Sequence, residues 1–125
     1  NGYGCPRCRI SKGEKRVLKF LLGHNVKTIE QKSFNDCFYK SNLFFDFYLP
    51  DYNTCIEYNG EQHYKEVDFS YHNKDKEKSK KNFIIQKKRD KIKLKYCKEN
   101  NIPLLIIPYT EYERIEEIIG NFLEI

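Results

Sequence analysis

Two acidic residues, Asp46 and Glu57, sit in aromatic, β-rich runs on either side of a short turn, within NLFFDFYLPDYNTCIEYNGEQHY from Asn42 to Tyr64. Pro50, Asp51 and Asn53 supply the turn chemistry. With the turn centred between Asp51 and Tyr52, hairpin pairing sets position 49 against 54, 47 against 56 and 46 against 57. Directly opposed residues have Cβ atoms about 4.5–5.5 Å apart, and two like charges at that separation are unfavourable unless a cation lies between them. Hard carboxylate oxygens suit magnesium or manganese. Asn59, Gly60, Gln62 and His63 follow at once, adding a tight turn and an imidazole at the end of the second run. The stretch therefore reads as an active site. The alternative is that Asp46 and Glu57 are the solvent-facing positions of a two-stranded ribbon. Against it, Asp46 lies among Phe44, Phe45, Phe47 and Tyr48, so both faces of its strand are expected to be buried, and a buried acid needs a partner.

Other elements must hold these acids. Ser11-Lys12-Gly13-Glu14 reads as a capping box starting a helix that runs to about Leu22, with Gly23 as its stop. Its apolar face is Val17, Leu18 and Leu21, and Glu14 lies one turn before Val17 and Leu18, on the core side. Glu14 either only closes the capping box or also joins the acids of the hairpin. Val26 to Phe34 reads as a strand at or near the sheet edge, and Asn35 to Ser41 as its connection to the hairpin. Lys65 to Lys81 is polar and without steady periodicity, which predicts a mobile loop or lid that becomes helical near Lys78. From there a long helix is expected to about Asn100. On it Asp90 shares a side with Phe83, Leu94 and Cys97, paired with Arg89, Lys87 or Lys93 or serving the site. Leu104 to Ile107 is wholly apolar, as in a buried central strand. Thr110 is placed to cap a last helix to about Leu123, with Tyr112, Ile115, Ile118, Ile119 and Phe122 on its apolar stripe. The order is αβββαβα, a mixed four-stranded α/β sheet flanked by helices.

A chain of 125 residues holds one domain and one core. Its 23 basic against 18 acidic residues leave a net charge of +5, and the excess is concentrated between Lys74 and Lys95. A basic segment beside a carboxylate site suits a polyanionic substrate, with Lys78, Lys80, Lys81, Lys87, Lys88 and Arg89 as phosphate contacts; a solubilising helix face is the alternative. No apolar run approaches the ~18 residues that span a bilayer, and a soluble, intracellular protein is expected. Cysteines 5, 8, 37, 55 and 97 form no even framework, so reduced thiols are expected. Cys5 and Cys8 are spaced as in a zinc knuckle, but tetrahedral zinc wants four ligands. The other half-site would precede Asn1 if the chain is cut from a longer protein. Residues 1–10 are thus read as the tail of a zinc ribbon or a linker, and 11–125 as the domain.

The order helix with Glu14, strand, strand with Asp46 in FDFYLP, strand ending in IEYNGEQHY, helix with Asp90, apolar strand resembles the PD-(D/E)XK nuclease superfamily. Within it, the likeness is to very-short-patch-repair (Vsr-like) endonucleases and the EDxHD group of homing endonucleases, over about Ser11 to Leu123. QKKRDKIKLKYCKENNIPLLIIPY is similar to the family's closing helix and strand. The resemblance implies a restriction-endonuclease-like fold, with Asp46 as central metal ligand, Glu14 as the helix acid beside it, His63 as the imidazole, and Asp90 as the acid that orients or supplements it. Glu57 takes the acidic position of the E-x-K element, but Asn59 stands where the superfamily has lysine. Histidine would then take over much of the activation of water, with Gln62 as an additional contact to substrate or water.

These readings lead to a magnesium-dependent endonuclease cutting double-stranded DNA, of the homing or repair type, with one or two ions held by Asp46 and Glu57. His63 would activate water or protonate the leaving group. A homodimer would be needed if both strands are cut. The rival is a non-catalytic DNA-binding module with the same fold, for which the acids would be dispensable.

Overall fold

A computed structural model of the chain describes residues 11–61, 64 and 73–125, with 73–79 as backbone alone. Helix α1 spans Lys12–Gly23, followed by strands β1 (Ile29–Tyr39), β2 (Ser41–Leu49) and β3 (Thr54–Asn59). Helix α2 (Asn73–Glu99) leads to strand β4 (Leu104–Pro108), a 3-10 turn (Tyr109–Arg114) and helix α3 (Ile115–Leu123). The four strands form one sheet in the order β1-β2-β3-β4. The first three are antiparallel, and β3 and β4 run parallel, as a strand–helix–strand crossover through α2 requires. The αβββαβα order and the mixed four-stranded sheet agree with the expectation from the sequence.

Local chemistry accounts for the start of α1. The Ser11 hydroxyl accepts from the Glu14 N–H, and Glu14 Oε1 accepts from the Ser11 N–H, each at 3.2 Å. Val17, Leu18 and Leu21 are buried as expected. Gly13 is buried against the Tyr58 ring so closely that a Cβ would overlap it. Glycine there lets the first turn of α1 lie directly on β3.

Cys55 and Ile56 are neighbours on β3 and therefore point to opposite faces. Ile56 belongs to an aliphatic core with Val17, Leu18, Leu21, Val26, Phe47, Leu49, Ile107, Ile115, Ile119 and Leu123. Cys55 belongs to a second core with Cys37, Leu43, Phe45, Cys97 and Ile102. Helices α1 and α3 thus cover one face, and α2 covers the other. Arg16 ties α1 to α3 through a two-pronged contact with Glu116, Nε to Oε2 at 2.7 Å and the second guanidinium nitrogen to Oε1 at 2.9 Å.

Several elements differ from the expectation. Strand β1 continues through Asn35–Tyr39 instead of ending at Phe34, because Cys37 is inserted into the α2-side core. Only Lys40, with φ of 65°, separates it from β2. Helix α2 begins at Asn73, before Lys78; residues 65–72, where a lid was expected, lie outside the described residues. Leu94, expected on the buried side of α2, is 48% exposed, whereas Lys93 is 9% exposed. Strand β4 is an edge strand, not a central one; its apolar run reflects helices on both faces, which leave Ile107 fully buried. Thr110 caps no helix: it lies in the 3-10 turn, whose preceding residue is Pro108, and α3 starts only at Ile115. Phe122 is exposed and Leu123 takes its place in the core.

Candidate active site

The loop Pro50–Asn53 joins β2 to β3, closed by the Tyr52 N–H to Leu49 O and the Asn53 N–H to Pro50 O. Asn53 adopts φ of 48°, and its Oδ1 accepts from the Tyr48 hydroxyl at 2.7 Å. This even-numbered turn sets the anticipated register, with Leu49 against Thr54 and Phe47 against Ile56.

The next pair departs from it. Asp46 and Glu57 are not ladder partners, because the pairing of β2 with β3 stops at Phe47 and Ile56. Leu43 and Phe45 lie in the core under α2, while Phe47 and Leu49 lie in the core under α1 and α3. Residues two apart on an unbroken strand share a face, so β2 changes face at Asp46. Neighbouring β1 accommodates the change at Gln31, which takes φ of 53° between the pairs Glu30–Phe47 and Lys32–Phe45. A non-glycine residue in that region is uncommon. Here the consequence is that the Asp46 carboxylate takes over a ladder position: its Oδ2 accepts the Tyr58 N–H at 2.9 Å. Phe44, expected to be buried, is 50% exposed for the same reason.

Glu57 is 5% exposed. Its Oε2 accepts from Lys93 Nζ of α2 at 2.8 Å, and the ammonium also stands 5.2 Å from the centre of the Phe45 ring. A buried pair of this kind holds because each charge answers the other's loss of water. This lysine comes from a different element, and it is not among the site residues expected from the sequence. The signal was present in the helical spacing of Lys93 with Gln86, Asp90 and Cys97, but nothing local distinguishes Lys93 from the exposed Lys91 and Lys95.

Ser11, Glu14, Asp46, Glu57, Tyr58, Asn59, Gly60, Gln86 and Lys93 line a cavity of about 310 Å³. Three carboxylates from α1, β2 and β3 therefore face it together with one ammonium from α2. Glu14 both closes the capping box and belongs to this wall. Burial first, then the charges of Glu57 and Glu14, push the Asp46 carboxyl up to about 7, against the opposing pull of the Tyr58 N–H and Lys93.

Asp90 stands apart from this cavity. Its Oδ1 accepts from Gln86 Nε2 at 2.9 Å, and it lines a neighbouring cavity of about 290 Å³ with Tyr64, Lys87, Lys91, Leu94, Leu104 and Ile106. Glu57 and Asn59 border both spaces. Lys93, offered as one of Asp90's ion partners, is held by Glu57. Of the basic residues, Lys80, Lys81 and Lys88 are exposed. Lys87 lies over the rings of Tyr64 and Phe83, at 5.2 and 5.3 Å. The Nε of Arg89 is enclosed by protein, so that side chain is directed inward in part. Gln62, His63, Cys5, Cys8 and the Lys78 side chain lie outside the described residues.

Among the described residues, no three His, Cys, Asp or Glu side chains form a ready-made chelate. The three carboxylates against one ammonium nonetheless fit a hard divalent cation of the magnesium type, which binds through one or two carboxylates and fills its remaining positions with water and substrate phosphate. Cys37, Cys55 and Cys97 are free and buried. Burial raises the Cys37 thiol, and hydrogen bonding with Cys97 together with burial raises Cys55, which marks them as packing residues.

No protein-family model matches the chain. It is similar to uncharacterized protein 307L of Invertebrate iridescent virus 6, with 39% identity over 69 residues, 55% of this chain and 32% of that protein. It is also similar to uncharacterized protein 033L of Invertebrate iridescent virus 3, with 37% identity over 70 residues, 56% of this chain and 33% of that protein. The match spans about a third of the length of these relatives. Among the described residues, no helix is long and apolar enough to cross a membrane.

Proposed function

We propose that this chain is the nuclease domain of a PD-(D/E)XK, Vsr-like enzyme that hydrolyses phosphodiester bonds of double-stranded DNA with magnesium or manganese. The observation that carries the reading is the convergence of Glu14, Asp46, Glu57 and Lys93, from four different elements, on one cavity. A purely structural acid would be satisfied by an ion pair, as Glu57 is. Asp46 is instead held among like charges, offset among the described residues by the Tyr58 N–H and the Lys93 ammonium.

A divalent cation held by Asp46, with Glu14 or the free oxygen of Glu57 beside it, would supply positive charge to the phosphate and acidify a bound water. The protein's own part is positional. Glu57 fixes the Lys93 ammonium at the cavity wall, where it can stabilise negative charge on a phosphoryl oxygen. Glu14 is held by the capping box with its carboxylate at the cavity, where it can accept a proton from water. Lys80, Lys81, Lys87 and Lys88 on α2 would take the DNA backbone, which positions the duplex without reading its bases. His63 retains the role that the family resemblance gives it.

The test is supercoiled-plasmid cleavage with magnesium by the wild type, Asp46→Ala and His63→Ala, with EDTA as control. Nicked or linear product from the wild type alone, abolished by EDTA while DNA binding persists in both variants, is the expected result. Cutting that survives Asp46→Ala would sink the assignment. DNA binding without cutting by the wild type would favour the non-catalytic binding module.

A further inference from the structure

We infer that the outer face of α1 is a binding track for one strand of nucleic acid, leading away from the carboxylate cavity around the first turn of the helix. It rests on the nuclease reading only in taking that strand to be an unpaired flank of the substrate. The track is a groove of about 630 Å³ lined by Lys12, Lys15, Arg16, Lys19, Phe20 and His24, with Gly23 at its end and Tyr112 and Glu116 from across the α1–α3 seam.

Three features select a nucleic acid strand as the occupant. The first is charge and its spacing. Lys12, Lys15 or Arg16, and Lys19 recur once per turn, and the helical pitch of about 5.4 Å sets cations along the groove at intervals similar to those of successive phosphates on an extended strand. Arg16 is engaged by Glu116 and lies 4.7 Å over the Tyr112 ring, which makes it part of the wall. Lys15 and Lys19 are exposed and form no salt bridge among the described residues; the Lys19 charge also acts on Glu116, which is already engaged by Arg16.

The second feature is aromatic. Phe20 and His24 lie one turn apart with ring centres 4.4 Å from each other and planes tilted by 45°, and His24 is exposed at the end of the groove. A cationic groove ending on an aromatic platform holds phosphates and bases of a single strand together, without demanding a sequence. An acidic polypeptide would use the lysines but have nothing to stack. The third feature is continuity. The same first turn of α1 contributes Ser11 and Glu14 to the carboxylate cavity and Lys12 and Lys15 to the groove, so a strand leaving the cavity meets the groove without crossing another element.

The experiment is fluorescence anisotropy with a labelled twelve-residue oligothymidylate in EDTA, across a salt series. Lys15→Glu/Lys19→Glu should weaken binding at least tenfold at low salt and flatten the log–log salt slope by about 1.4, from ~0.7 per lost phosphate contact. Lys40→Glu/Lys98→Glu carries the same net charge at positions exposed elsewhere and should bind within about twofold of wild type. His24→Ala should bind several-fold more weakly with the slope unchanged. Equal weakening by both double variants, wild-type binding to polyglutamate as tight as to the oligonucleotide, or no binding of the oligonucleotide would each overturn the track. Lysine-dependent strand binding without plasmid cutting would retain the track and remove the nuclease reading. Metal-dependent cutting with unaltered strand binding by Lys15→Glu/Lys19→Glu would do the reverse.

Discussion

The two faces of the sheet are built from different materials. Under α1 and α3 the core is almost wholly aliphatic, with Val17, Leu21, Leu49, Ile56, Ile107, Ile115 and Ile119 shut off from solvent. Under α2 the core mixes small thiols and aromatic rings with Leu43 and Ile102, beside an ion pair of Glu57 with Lys93. Each buried aliphatic side chain contributes roughly 1.5–3 kcal/mol, so the first face supplies most of the cohesion. The second gives up some cohesion to hold charges in place. Asp46 lies where β2 passes from one face to the other, which is why its carboxylate is enclosed yet opens on a cavity.

Breaking the ion pair should have the largest effect on stability. Lys93→Met strands the Glu57 carboxylate, at a cost of about 3–5 kcal/mol in urea unfolding. Glu57→Gln/Lys93→Met should recover most of that loss. If the single and double variants are equally unstable, the α2 face is held by packing alone and the contrast between the faces disappears.

Neutralising Asp46 should sharpen the contrast in the opposite direction. Its carboxyl is raised from 3.8 to about 7, so between those values the folded chain keeps a proton that the unfolded chain has lost. Stability without divalent cation therefore falls as pH rises from about 4 to 7. Asp46→Asn removes that penalty and should be more stable than wild type by about 2–4 kcal/mol at pH 8, the gap closing towards pH 4. Chemical denaturation at the two pH values measures it. A variant less stable than wild type at pH 8 would place Asp46 among ordinary paired carboxylates.

The smallest effect lies at the edge of the aliphatic face. Ser11→Ala removes the hydroxyl that accepts from Glu14 N–H and should cost ~1 kcal/mol. It should also loosen the carboxylate of Glu14 from its place at the cavity.

What was legible in the sequence was local. The Ser11–Glu14 capping box and the Pro50–Asn53 turn depend on residues a few positions apart, and the turn carried the register as far as Phe47 and Ile56. The change of face at Asp46 was not legible, because alternation is read residue by residue while the break depends on which helix covers each half of β2. Lys93 is hidden in the sequence for a similar reason. Apolar periodicity runs through its neighbour Leu94, and a long side chain that buries its stem and pairs its tip is identified only by the acid it reaches. The apolar run 104–107 reads identically whether its strand is central or an edge covered on both faces. Thr110 offers a helix start, and the 3-10 turn over Tyr109–Arg114 that takes its place has no local signature.

The most direct test of the carboxylate cavity as a metal site is the melting temperature at pH 8, followed as magnesium is added to the wild type and to Asp46→Asn. Binding to the folded state alone raises the melting temperature with ligand concentration. The account predicts a rise for the wild type that saturates, and none for Asp46→Asn. No rise in the wild type, or the same rise in both, would contradict it.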